Sequence, residues 1–124
     1  MPNSIYMTLK EVCDQVISCD KGLASWRNSE GQSGALTTAM FWQKVARTPL
    51  FVLDEVGLRD RVSDFVYEQL FQMLEVRYGV PTVIISNLTI DQIRSVFDDR
   101  IVSRLGRGTV MPVRGSDLRL EGKR

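Results

Sequence analysis

Two short apolar runs stand out in this chain, Leu50-Phe51-Val52-Leu53 and Thr82-Val83-Ile84-Ile85-Ser86. Neither alternates as a half-solvated strand would, so each predicts a strand buried on both faces. Between them Val62, Val66, Leu70, Met73 and Leu74 recur at helical spacing behind a cap at Ser63 or Asp64. That pattern predicts a helix to about Tyr78, ended by Gly79, with Pro81 opening the second run. A strand, a helix of this length and a second strand predict a right-handed crossover between neighbouring parallel strands. Upstream, the short run 5–7 leads into Thr8 and Glu11, spaced as a capping box. A helix therefore begins at Leu9, with Val12, Cys13, Val16 and Ile17 facing the core. Residues 21–34, rich in Gly, Ser and Asn, predict a long surface connection, and 36–46 a modest helix. Two short helices at 91–97 and 99–105 and a last strand at 109–113, with Pro112 at its edge or end, complete an α/β pattern.

Composition narrows this picture. At 124 residues with 44% apolar content the chain fits one domain with a real core. There is no histidine, which excludes Ser-His and Cys-His nucleophilic catalysis, His-ligated zinc and His proton shuttling. Cys13 and Cys19, six apart, form neither a CxxC nor a zinc pattern and read as reduced thiols. No segment approaches the length of a membrane span and no signal sequence opens the chain, so a cytoplasmic setting is expected. From Arg94 onward eight Lys/Arg face four acids, a net +4, against −3 for the rest. This basic third is either a solvated face or a contact for phosphate, nucleic acid or an acidic neighbour.

The chemistry lies at the ends of the apolar runs. Asp54 and Glu55 follow the first and Asn87 follows the second. In an open parallel sheet, ligands bind beyond the carboxyl ends of the strands. Neighbouring strands about 4.8 Å apart would bring these three groups together. The trio suits phosphoryl transfer to water. One carboxylate, Asp54, holds Mg²⁺ through its water shell. The other, Glu55, serves as general base, and the neutral Asn87 amide bonds both phosphate and water. Each feature alone has an ordinary reading: a solvated acid pair at a strand end, and a turn or helix-cap asparagine. Arg100 and Arg104, spaced i, i+4, share a helical face. They suit either surface ion pairs to Asp98 or Asp99 or joint contact with one partner's phosphate.

Taken together, "PLFVLDEVG", "EQLFQMLEVRYGVPTVIISNLT" and "DDRIVSRLGRG" resemble the AAA+ ATPases of the DnaC/IstB type, replicative-helicase loaders and transposase helpers, with DnaA as a more distant cousin. The resemblance runs from about residue 5 to about 113. Arg77-Tyr78 just before "PT-apolar-SN" is its most specific feature. It implies a partial P-loop NTPase fold, three-layer α/β/α with a mainly parallel sheet. On it Asp54 and Glu55 are the Walker B acids and Asn87 is sensor 1. Arg104 is the arginine finger reaching the next subunit's nucleotide, and Arg100 is a second interfacial arginine.

The family's GxxxxGK[ST] phosphate loop does not occur in the sequence. "EGQSGALTT" has glycines and hydroxyls but no lysine and reads as a loop with a helix cap. In the family, the strand before that loop lies between the sensor 1 strand and the last strand. Residues 1–124 are accordingly expected to be a single incomplete AAA+ domain, the C-terminal portion of a loader, with a prophage remnant among its origins. No helical lid is expected, and Arg119 is the sole stand-in for a sensor 2 arginine. The resemblance implies ATP and Mg²⁺ as cofactors. As partners it implies a replicative DNA helicase, single-stranded DNA and further copies of the chain through the finger interface. With the nest and lysine missing, ATP turnover by this chain alone is expected to be poor. The alternatives are a non-catalytic piece docking on a full-length homologue through Arg100 and Arg104, and a transposition helper ATPase.

Overall fold

The computed structural model describes residues 3–57 and 62–111. The chain runs β1 (Ser4–Thr8), α1 (Leu9–Asp20), β2 (Ser25–Arg27), β3 (Ser33–Ala35), α2 (Thr38–Arg47) and β4 (Leu50–Asp54). It continues with α3 (Asp64–Val76), β5 (Thr82–Ile84), α4 (Ile90–Val96) and α5 (Asp99–Leu105). Strands β1, β4 and β5 form one parallel sheet in that order, and β2 and β3 an antiparallel ribbon. The predicted crossover is present: β4 and β5 are parallel neighbours joined by α3, with Phe51 opposite Thr82 and Leu53 opposite Ile84.

Local chemistry sets the element starts. The Thr8 hydroxyl accepts from the Glu11 N–H at 3.0 Å while the Glu11 carboxylate accepts from the Thr8 N–H at 2.9 Å, the expected capping box. The Thr37 and Ser63 hydroxyls cap α2 and α3 by accepting from the N–H three residues on, and Thr89 with Gln92 forms a second capping box on α4. Cys19 joins the buried face of α1 where Ile17 was expected, and Ile17 is exposed. The connection 21–34 carries a structured ribbon. Its two three-residue strands are too short to show a period, and Trp26 covers Gly34 so closely that a Cβ there would lie 2.9 Å from the indole nitrogen. Residues 109–111 are not in a strand, and the rest of the predicted last strand, Pro112 and Val113, lies outside the described residues, as does Arg119.

The sheet has two unlike faces. Phe51 and Leu53, both fully buried, point to the side packed by α1, α2 and α3. Tyr6, Leu50, Val83 and Ile85 are 58%, 37%, 45% and 42% exposed, and strand register puts them on the opposite side. The reason is topological. Chain order and sheet order both run β1, β4, β5, and two right-handed crossovers that progress in one direction lay their helices on one face. The second apolar run, expected to be buried on both faces, is therefore covered on one only. Among the described residues β5 pairs with β4 alone, so its outer edge is open on the side where the resemblance puts the phosphate-loop strand.

Candidate functional site

Strand β4 ends at Asp54, and the chain there makes a sharp turn. Glu55 takes a left-handed backbone conformation (φ 55°) and Gly57 another (φ 88°). A non-glycine residue at such a φ is uncommon and costs energy that surrounding structure must offset. The offset is visible. Val56, between the two, is fully buried, and its N–H donates to the Ile85 carbonyl at 3.1 Å. Driving Val56 into the core turns Glu55 outward, where its carboxylate is exposed and has no hydrogen-bond partner among the described residues. Gly57 must be glycine on two counts, its φ and the Leu88 side chain that a Cβ would strike.

The tips of β4 and β5 are stitched together beyond the last ladder pair. The Ile85 N–H donates to the Leu53 carbonyl at 2.8 Å. The Ser86 hydroxyl donates to the Val56 carbonyl and accepts from the Leu88 N–H. Asn87 follows directly and is exposed. Asp54, Glu55 and Asn87 thus sit at the same end of two adjoining strands. Ser86, which the sequence reading treated only as the end of a run, is the residue that ties the two tips.

The Asp54 carboxylate is held from two sides. One oxygen accepts from the Glu55 N–H at 2.6 Å, and the other accepts from the Tyr6 hydroxyl on β1. Tyr6 lies diagonally across the β1–β4 pair on the bare face, within reach of such a contact. Its phenol is pushed up to about 12, chiefly by the bond to Asp54. Only the apolar half of the "IYM" run was legible in advance; the tyrosine's role needs the register. Among the described residues no three Asp, Glu or Cys side chains cluster as a metal cage. A single carboxylate with a free neighbour fits Mg²⁺, which keeps most of its waters and takes other ligands from phosphate.

Arg100 and Arg104 lie apart from this tip, on α5 against α3. The Arg104 guanidinium carbon sits 4.3 Å from the Phe71 ring centre, and its Nε donates to Glu75 at 2.7 Å. Arg100 lies 4.5 Å over the same ring. The ion pairs with Asp98 or Asp99, the ordinary alternative for these arginines, do not form. Asp99 pairs with Arg94 at 2.7 Å. Asp98 caps α5 through the Ile101 N–H and accepts from the Tyr67 hydroxyl at 2.6 Å. Burial alone would push the Asp98 carboxyl up, but these bonds and the Arg100 charge more than reverse it and hold it below the usual range. The aromatic partners of the arginines were missed because Phe71 and Arg104 meet only through the α3–α5 packing.

The family model described as "IstB-like ATP binding protein" matches residues 23–124. The DnaC helicase loader matches in structure with a TM-score of 0.63 and 19% identity, over 84% of this chain and 56% of that one. AMPPCP-bound DnaA from Aquifex aeolicus matches with a TM-score of 0.64 and 18% identity, over 87% of this chain and 30% of that one. This chain therefore spans just over half of the one structure and under a third of the other. At these identities the likeness is one of fold. No curated protein matches. No helix among the described residues is long and apolar enough to cross a membrane.

Proposed function

The chain belongs to the family of IstB-like ATP binding proteins, an AAA+ ATPase-related group, and from that premise we propose that it is the ATPase module of a DnaC-like helicase loader. The observation that carries this reading is the paired tip of β4 and β5, with Asp54 and Glu55 on one strand end and Asn87 just past the other. In this reading Asp54, already oriented by Tyr6 and the Glu55 N–H, binds a hydrated Mg²⁺ that screens the charge of ATP's phosphates. Glu55, swung outward and unpartnered, draws a proton from the attacking water. Asn87 positions that water against the γ-phosphate. Arg104, with Arg100 beside it, stabilises the phosphate of a neighbouring subunit's nucleotide, so the working form is an oligomer. Replicative helicase and single-stranded DNA are the partners of such a module.

Phosphate affinity is the weak link, since the sequence has no GxxxxGK[ST] loop. A second reading follows from that: the chain docks on a nucleotide-loaded homologue through Arg100 and Arg104 without hydrolysing ATP itself. Titration of ATP and Mg²⁺ into the chain separates the two. Binding at or below millimolar nucleotide, with turnover abolished and binding kept in Glu55→Gln, supports the enzyme. No binding at that concentration removes it and leaves docking, which the Arg104 variants below test. A transposition helper would share every one of these residues, and the matched family's description names ATP binding alone.

A further inference from the structure

We infer that Glu75 on α3 is a positioning residue for the Arg104 finger, holding its guanidinium on the Phe71 ring and leaving its Nη2 edge for a phosphate. This rests on the reading of Arg104 as the group that meets a neighbour's nucleotide. Phe71 and Glu75 are four apart, so both stand on one face of α3. Phe71 takes the flat side of the Arg104 guanidinium at 4.3 Å. Glu75 accepts from Nε at 2.7 Å, and the Arg100 carbonyl accepts from Nη1 at 3.3 Å. Of the five N–H groups, two are thus used, and Nη2 with the remaining Nη1 proton has no partner among the described residues. Those are the protons that a guanidinium presents in pairs to two oxygens of one phosphate.

The grip is suited to aiming rather than to locking. Glu75 is 40% exposed and touches one nitrogen of Arg104, and an ion pair of that kind is too weak to withhold the finger from a phosphate. Held this way, however, a long side chain that would otherwise sample many rotamers is ordered before the partner arrives, which is the benefit of preorganisation. Arg107 extends the arrangement, lying 4.3 Å over the Tyr78 ring and 3.7 Å from the same Glu75 carboxylate. Both arginines thus converge on one oxygen of that acid.

The test mixes the chain with a full-length DnaC-type loader carrying ATP and Mg²⁺ and follows the change in the loader's ATPase rate. Arg104→Ala is expected to remove the effect of the chain. Glu75→Ala should reduce that effect about tenfold in kcat at unchanged KM. Glu75→Gln, whose amide oxygen can still accept from Nε, should recover most of the loss. Thermal melting of each variant checks that the exposed Glu75 leaves the fold intact. If Arg104→Ala abolishes the effect while Glu75→Ala equals or exceeds wild type, positioning by Glu75 is wrong and the finger stands. If wild type and Arg104→Ala act alike, the finger reading falls and takes this inference with it.

Discussion

The two ends of the β4–β5 pair are built on opposite principles. At the amino end sits Arg77, only 3% exposed, just past the last turn of α3. Its guanidinium donates to the carbonyls of Val45, Thr48 and Pro81 and to the Thr82 hydroxyl, and it lies 5.9 Å over the Phe51 ring. Every acceptor is uncharged, and burial lowers the pKa of the group. At the carboxyl end the polar atoms point outward, Glu55 has no partner among the described residues, and the backbone is left-handed at two of three positions. A cation that spends its donors on backbone carbonyls ties α2, α3 and both strands into one frame. An acid left free on a strained turn does nothing for that frame, and catalysis at a bound nucleotide is the role proposed for it. One end is locked, and the other is the end proposed to be loaded.

The largest expected effect tests the locked end. Arg77→Ala takes the guanidinium donors from the buried Val45 and Thr48 carbonyls and leaves a void beside Phe51, at a cost of about 3 kcal/mol in urea unfolding. Arg77→Lys restores charge but not the fork, and should recover less than half of that, about 1 kcal/mol. A loss well under 1 kcal/mol for the alanine variant would erase the contrast between the ends. Next comes the turn itself. Gly57→Ala meets both a left-handed φ and Leu88, and should cost about 2 kcal/mol. That would show that the turn at Gly57 braces this end. A smaller effect of opposite sign is expected two residues earlier. Asparagine tolerates φ near 55° better than glutamate, so Glu55→Asn should gain about 0.5 kcal/mol while abolishing any turnover. A loss of stability there would mean that Glu55 contributes to folding after all.

Much of this was readable from the residues. The capping box at Thr8 and Glu11, the α3 stripe and the βαβ unit follow from local chemistry and one handedness rule, and the structure contains all three. Arg77 belongs to the most specific stretch of the family resemblance, but its four acceptors are assembled around it only by the folded chain. The bare face of β5 was not legible because an apolar run says how greasy a strand is, not how many helices cover it. The same holds for Phe71 beneath Arg104 and Tyr6 beside Asp54. Such pairs join residues dozens of positions apart, and no periodicity in a single sequence encodes which helix face meets which. The ribbon at Trp26 escaped for a simpler reason, since three-residue strands carry too few positions to alternate.

The finest test of the loaded end is a titration. The Tyr6 hydroxyl donates to Asp54, and a phenolate beside that carboxylate is disfavoured, so the phenol titrates near 12 instead of 10. A group whose proton is held more tightly in the folded state stabilises that state below the unfolded pKa. Its contribution is therefore complete below pH 10 and fades as pH climbs toward 12. Because Tyr6 is largely solvent-exposed the effect on unfolding is slight, and ultraviolet absorbance of the phenolate is the better readout. Asp54→Asn should bring the Tyr6 midpoint back toward 10, whereas Arg77→Lys, acting at the far end of the same strands, should leave it in place. If both variants moved it equally, the two ends would be a single coupled unit and the division of labour between them would be lost.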